Sequence, residues 1–482
     1  MALHASLTGA IDKGPSGPKI AAFFDLDRTL IAGFSAVTFV RELVRIGKLN
    51  GTALAQGAAS AARFQLGGLG FSGFVTETLG ALTGMAESEL VEMGERLFAE
   101  HIATAIYPES RALVQAHQRK GHTVAVVSSA LPYQVLPVAR ELGIAHVMCT
   151  RLTVVDGRIT GEVVHPTCYG VGKASAARAF STPRGIDLAR SFFYTDSDED
   201  LPLLDLVGRP RPINPNRGLA ALAARRGWPA RRFTSRGTPT AAEIGRTALA
   251  VGSAVPSWLL GVPAGLLAGG WQAGLNLALS TWGELGTALA GVDMQVQGEQ
   301  YLWSHRPAVF VFNHQSAVEM LLLCKLLRRD FVGIAKKELQ RNPFFGPLFA
   351  ASGTIFVDRF NRQQAVHALA PALAALRAGT SIVIAPEGTR SSTPRLRPFK
   401  KGAFHLAMAA RRPIVPIVFR NTLDVLPKHG IILRPATVEV VVHKPIATTT
   451  WRRKDLDRHV EAVRRLFEDT LEGGGRGSVA PH

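Results

Sequence analysis

The spacing of apolar and polar positions changes period several times along the chain, and each change marks an element. From Ile20 to about Phe233, short apolar runs alternate with stretches of helical period. Ala21–Phe24, Thr123–Val127 and Ser191–Tyr194 are largely apolar runs of strand length, which predicts buried parallel strands. Arg151–Val155 and Ile159–Val164 flank Asp156-Gly157, a hairpin signal. Residues 34–106 are mostly of helical period and interrupt the strand series, as an inserted cap would. Thr247 to Gly283 contains no charged residue, enough for one membrane span of about twenty residues. Pro256, Pro263 and several glycines break this stretch, and Trp258, Trp271 and Trp282 read as interfacial anchors. The expectation is a membrane-embedded or re-entrant helical hairpin, with a buried core hairpin as the alternative. From about Met294 to Ala447 the alternation resumes, with strands expected at Ala308–Phe312, Thr354–Val357, Ser381–Ala385, Ile414–Phe419 and Thr437–Val442. Residues 452–471 read as a polar terminal helix.

These elements predict an α/β protein in five parts. Residues 1–18 form a flexible leader, and 19–236 a first α/β domain with its cap at about 34–106. Residues 240–290 form a membrane-associated helical segment. Residues 294–471 form a second α/β domain, and 472–482 a disordered tail. At 482 residues the chain has room for two or three domains. Its formal net charge of +18 favours anionic partners. No zinc-finger spacing, aromatic-Gly RNA motif or Lys-rich tail singles out nucleic acid. An anionic membrane surface or a phosphorylated small molecule fits better. Arg209 to Arg236 carries many arginines and no acid, either as a solvated face or as a contact for anionic headgroups. The three cysteines fit a reducing compartment, and the polar first twenty residues argue against a cleaved secretory signal.

Two constellations carry chemistry. In Phe23-Phe24-Asp25-Leu26-Asp27-Arg28-Thr29, two carboxylates leave the end of a strand, where ligands of open α/β sheets bind. One can attack phosphorus, and the other can protonate a leaving alcohol. Ser128 follows the second strand, and Lys173 lies in a Gly-rich approach to a helix. Asp196 and Asp200 follow the third and supply the hard oxygen ligands that suit Mg²⁺. This ordered set, over about residues 20–234, resembles the haloacid dehalogenase-like (HAD) phosphatases, in particular the phosphoserine phosphatase-like branch. The resemblance implies a Rossmann-like parallel sheet with a helical cap. It implies Asp25 as nucleophile and Asp27 as general acid/base, with Ser128 and Lys173 on the phosphoryl group. Asp25, the Asp27 carbonyl, Asp196 and Asp200 would form the Mg²⁺ site.

The second constellation begins at Asn313-His314-Gln315-Ser316-Ala317-Val318-Glu319. One such His–acid pair is expected by chance among 14 histidines and 37 acids; its company gives it weight. Gly353 to Arg359, Pro386-Glu387-Gly388-Thr389-Arg390 and Arg411 to Ile417 each border a further strand, and Lys336-Lys337-Glu338-Leu339 falls between. The order over about 294–447 resembles the lysophosphatidic acid (1-acylglycerol-3-phosphate) acyltransferases, a glycerolipid acyltransferase family of α/β fold. That likeness implies His314 as general base oriented by Glu319. Lys336, Arg359 and Arg390 would grip the acceptor phosphate, with Glu387, Gly388 and Thr389 shaping the turn that presents Arg390. The domain needs no metal or cofactor, only an acyl-CoA or acyl carrier protein thioester. The family acid is usually aspartate. The extra methylene of Glu319 is expected to displace the imidazole by about an ångström, which costs on the order of 10²-fold if uncompensated.

Together these readings predict a fusion at the cytoplasmic face of the cell membrane. A Mg²⁺-dependent phosphatase would be joined to an acyltransferase that makes phosphatidic acid from membrane lysophosphatidic acid. The alternatives are a chain that is mainly a phosphoserine-like phosphomonoester phosphatase, or one that acylates another lysolipid or glycerol 3-phosphate.

Overall fold

The computed structural model describes residues 2–49, 80, 82–342, 345–357 and 369–473. The chain divides into two compact units, Met1–Thr238 and Pro239–His482.

In the first unit the strands are β1 (Ala21–Phe24), β2 (Thr123–Ser128), β3 (His146–Cys149), β4 (Leu152–Val155), β5 (Arg158–Val163), β6 (Phe192–Thr195) and β7 (Arg209–Pro212). Five of them form a parallel sheet in the order β3-β2-β1-β6-β7, and β4 and β5 pair as the expected hairpin. Every residue of β1 and β6 is buried, because apolar side chains pack on both faces. Ala22, Phe24, Val126 and Tyr194 enter one core, and Ala21, Phe23, Val127 and Phe193 the other. This double coverage is why the strands read as unbroken apolar runs.

Helix α1 (Ala2–Asp12) lies within the expected leader. Residues 1–18 are therefore not all loose: Ile11 is buried in the first core, and Lys120 Nζ donates to the Asp12 carbonyl at 3.1 Å. The described parts of the cap include α2 (Ser35–Arg45) and α3 (Glu87–Leu97), while residues 50–79 lie outside the described region. Further on come α4 (Val171–Ser181) and α5 (Arg217–Arg226). The Asn216 side chain caps α5, and Gly227 ends it at φ 65°.

The second unit opens with α6 (Ala241–Gly252), α7 (Ala254–Gly269) and α8 (Trp271–Ala290). Helix α7 runs through Pro263 rather than breaking there, and Pro256 sits in the first turn, where a missing N–H costs nothing. Gly270 at φ 91° makes the reversal into α8. The two helices meet on a glycine seam: a Cβ on Gly265 would fall 2.1 Å from Gly274 Cα. Trp271 is half exposed, but Trp282 is buried with Nε1 directed at the Ala250 carbonyl. Trp282 is therefore a core residue and not an interfacial anchor. Among the described residues one stretch, Ala241–Gly269, is long and apolar enough to cross a membrane.

There follow β8 (Val292–Gln297), β9 (Val309–Phe312), α9 (Glu319–Leu327), β10 (Phe331–Lys336), β11 (Ile355–Val357), β12 (Ser381–Ile384), β13 (Ile414–Phe419), β14 (Ala436–Val442) and the terminal α10 (Leu456–Gly473). The sheet runs β11-β10-β12-β9-β13-β14-β8. Its first five strands are parallel, and β14 is antiparallel to β13. The loops after β9, β10, β11 and β12 therefore open on one edge. The register sets Val311 beside Ile384 and Gly333 beside Val383. Counting onward brings His314, Glu387 and Lys336 to nearly one level.

Candidate active sites

In the first unit, Asp25 follows β1 directly and is buried, its N–H bonded to the Tyr194 carbonyl at 2.9 Å. Lys173, near the start of α4, is buried and donates to Asp25 Oδ1 at 2.9 Å and Asp200 Oδ2 at 2.8 Å. Thr195 Oγ1 also donates to Asp200 Oδ2, at 2.5 Å. Asp196 is buried and meets Arg28 Nη1 at 3.0 Å. Asp27 Oδ1 accepts the Ser35 N–H at 2.7 Å, which ties it to the start of the cap. Ser128, at the end of β2, is buried with Oγ accepting the Ala130 N–H at 3.2 Å. Asp25, Lys173 and Asp200 are thus in direct contact, with Asp196, Asp27 and Ser128 at the same strand ends.

Burial sets the electrostatics. It pushes Asp25 above the ordinary carboxylate range, against the pull of Lys173. It raises Asp27 to about 7, opposed by the Ser35 bond and reinforced by the Asp25 charge. Asp196 is held well above its ordinary value by burial and by Asp25, with Arg28 opposing. Burial alone would lower Lys173, but Asp200 and Asp25 outweigh it and hold the ammonium charged. Among the described residues no three His, Cys, Asp or Glu side chains are gathered closely enough to hold a metal. Lys173 pairs with Asp25 and Asp200, and Arg28 with Asp196, so three acids share two cations while Asp27 accepts from the Ser35 N–H. The oxygen chemistry of these acids is of the kind a hard divalent ion takes.

Arg28 was not singled out by sequence. It adopts φ 56°, and its Asn214 partner is bonded both ways, Arg28 Nη2 to the Asn214 carbonyl and Asn214 Nδ2 to the Arg28 carbonyl. A left-handed non-glycine residue at a strand exit is the kind of strain found at functional sites.

In the second unit, β9 ends at Phe312 and the chain turns into α9. Asn313 stitches this turn to β13: its Nδ2 donates to the Phe419 carbonyl at 2.7 Å, and its Oδ1 accepts the Phe419 N–H at 2.8 Å. His314 Nδ1 meets Glu319 Oε2 at 2.6 Å. A carboxylate only accepts, so Nδ1 carries the proton and Nε2 keeps a free lone pair. The imidazole packs edge-on against Phe312 at 5.6 Å. Glu319 is wholly buried, yet its other oxygen is satisfied threefold, by Gln315 N at 2.9 Å, Ser316 N at 2.8 Å and Thr422 Oγ1 at 2.8 Å. The extra methylene therefore does not part the acid from the imidazole; the carboxylate is carried to a site that holds it.

Glu387 grips the same loop. Its Oε1 accepts the His314 N–H at 2.7 Å and its Oε2 the Arg397 N–H at 2.9 Å. Burial raises it to about 7, against those two bonds. Gly388 takes φ 75°, and a Cβ there would press on Lys400. Thr389 is exposed beyond it. Arg390 is half-buried and within electrostatic reach of Glu319; burial lowers it more than that acid raises it. Lys336 is exposed at the end of β10. Arg359 lies outside the described residues. The structure thus joins His314, Glu319 and Glu387 by direct contacts, with Arg390 nearby. Sequence reasoning missed Thr422, whose only signal is a hydroxyl just past the end of a buried strand.

Residues 22–205 match the model of the haloacid dehalogenase-like hydrolases, and residues 293–420 that of the acyltransferases. A probable phosphatase of Mycobacterium tuberculosis is 34% identical over 251 residues, 49% of this chain and 87% of that protein. A phosphoserine phosphatase of the same species is 36% identical over 260 residues, 53% of this chain and 83% of that one. A 1-acyl-sn-glycerol-3-phosphate acyltransferase of Cocos nucifera is 35% identical over 184 residues, 38% of this chain and 59% of that protein, so the match spans well under two thirds of its length. The chain belongs to the haloacid dehalogenase-like hydrolases, fused to a C-terminal acyltransferase domain.

Proposed function

We propose that the second unit transfers an acyl chain from acyl-CoA or an acyl carrier protein to the 2-hydroxyl of lysophosphatidic acid, giving phosphatidic acid. The observation that carries this reading is the 2.6 Å contact of His314 Nδ1 with the buried Glu319, which leaves Nε2 free as a base. Nε2 takes the hydroxyl proton as the oxygen attacks the thioester carbonyl. The tetrahedral adduct collapses, the carbon–sulfur bond breaks, and the thiolate leaves with the proton from the imidazolium. Glu319 stabilises the imidazolium in between, and such base catalysis contributes about 10²–10⁴-fold. Arg390, with Lys336 and Arg359, would hold the acceptor phosphate; a guanidinium fork suits its oxygens. Glu387, Gly388 and Thr389 fix the turn that presents Arg390.

The first unit is proposed to hydrolyse a phosphomonoester. Asp25 attacks phosphorus as the ester bond breaks and Asp27 protonates the leaving alcohol; Asp27 then takes a proton from the water that attacks the phospho-aspartate, which releases phosphate and restores Asp25, while Ser128 and Lys173 hold the phosphoryl oxygens. Mg²⁺, when bound, would be held by Asp25, the Asp27 carbonyl, Asp196 and Asp200 and would neutralise phosphate charge. The rise of Asp27 to about 7 supports its role, since an acid poised near neutrality can both give and take a proton.

Exposed leucines support seating at a membrane surface, and the cytoplasmic face is the one where acyl-CoA and phosphorylated substrates would meet it. Leu259, Leu260 and Leu267 point out from α7, and Leu267 is 92% exposed. A leaflet would cover them, and basic side chains would add about 1 kcal/mol each at an anionic surface. The test is radiolabelled acyl-CoA with a panel of lysolipids and, separately, phosphomonoesters, on wild type, His314→Ala and Asp25→Asn. His314→Ala should lose acyl transfer alone and Asp25→Asn phosphatase activity alone. Loss of both activities in either variant would refute the two-site reading.

A further inference from the structure

Three contacts tie the end of β13 and the segment after it to the loop that carries His314. Asn313 exchanges two hydrogen bonds with Phe419, Ser316 Oγ donates to the Leu426 carbonyl at 2.7 Å, and Thr422 Oγ1 donates to Glu319 Oε1 at 2.8 Å. The first two fix main chain. The third fixes the acid itself. The other two donors on Glu319 Oε1, the Gln315 and Ser316 amides, belong to the same loop as Glu319 and move with it. Thr422 is anchored elsewhere. Its neighbour Asn421 donates to the Thr437 carbonyl at 2.8 Å and accepts the Glu439 N–H at 3.0 Å, so the hydroxyl is referenced to β14. Thr422 and Glu319 are both fully buried, so water does not replace the bond.

We infer that Thr422 is a positioning residue for acyl transfer. Its hydroxyl fixes the rotation of the Glu319 carboxylate, so that Oε1 stays on Thr422 and the two amides while Oε2 faces His314. The longer acid suits this arrangement, because its carboxylate reaches the exit of β13. The inference rests on the proposed acyl transfer and deepens it.

The experiment compares acyl transfer to lysophosphatidic acid by the full-length protein in mixed micelles, for wild type, Thr422→Val, Thr422→Ser, Glu319→Gln, the Thr422→Val/Glu319→Gln pair and His314→Ala. Thermal melting of each variant reports folding. Thr422→Val should lower kcat about ten- to a hundredfold, the worth of one bond to a charged group, with KM for the acceptor within about twofold. Thr422→Ser, which restores the hydroxyl, should return kcat to within about threefold of wild type. In the Glu319→Gln background, Thr422→Val should cost less than about threefold more, because the two residues act as one unit. Independent, multiplying losses, or wild-type kcat in Thr422→Val, would overturn the inference while a dead His314→Ala leaves acyl transfer standing. An active His314→Ala would overturn the acyl-transfer reading itself, and the inference with it.

Discussion

Shortening Glu319 to aspartate is the sharpest probe of the second site. The change removes one carbon–carbon bond of about 1.5 Å. In the wild-type chain one oxygen accepts from Gln315 N, Ser316 N and Thr422 Oγ1, while the other meets His314 Nδ1 at 2.6 Å. A shorter acid cannot span that distance from the same backbone. The two amides lie within its own loop, so it keeps them and abandons the imidazole, whose contact opens to about 4 Å. A hydrogen bond to a charged group is worth about 1.5–3 kcal/mol, so kcat should fall about ten- to a hundredfold. KM for the acceptor should change little, since Glu319 touches no substrate. The assay is steady-state acyl transfer to lysophosphatidic acid at saturating acyl-CoA. Equal or higher kcat in Glu319→Asp would refute the reasoning, because it would mean that loop 315–318 resets to follow the shorter acid.

Three further outcomes are expected. Lys173→Met leaves Asp25 and Asp200 facing each other without their shared cation, which should destabilise the first unit by about 3–5 kcal/mol; a chemical melt showing less than about 1 kcal/mol would contradict the contact. Glu387 is raised from 4.5 to about 7, so the folded state favours its protonated form. Its stabilising contribution relative to Glu387→Gln should be greatest below its ordinary value and fall as pH rises through about 7, as measured by thermal melting of both proteins. Replacing Leu259, Leu260 and Leu267 together by glutamate should release the protein from anionic vesicles without unfolding it, because those side chains are exposed. Continued co-sedimentation would place the anchor elsewhere. Excising 247–283 is a poorer test, since Trp282 and Gly283 pack in the core of the second unit.

Strands buried on both faces were legible in the sequence because nothing polar interrupts them: β1, β9 and β13 appear where the apolar runs stand. The edges were not. β7 is Arg-Pro-Arg-Pro, and proline is tolerated there because the strand lies at the end of the sheet. Its alternate arginines stack over Phe192 at 5.1 and 5.5 Å, a stabilisation that no apolar pattern records. β10 was hidden because its residues are half-buried and Gly333 dilutes the run. The chemical residues that follow strand ends, Asp25, His314 and Glu387, were readable from that position together with the motifs around them. Lys173, 148 residues from Asp25, was readable through its own motif, whereas Thr422, 103 residues from Glu319, was not. Only the order of the strands brings such pairs together.

The glycine seam between α7 and α8 has a consequence for anything that must part to admit them. Main chains that touch make a hairpin with a narrow cross-section. Sixteen residues of α7 reach about 24 Å, less than the oily thickness of a bilayer. Seated in a leaflet as proposed, such a blade would part few acyl tails and would turn back before the far headgroups. A methyl group at Gly265 would force a thicker wedge and a wider cleft.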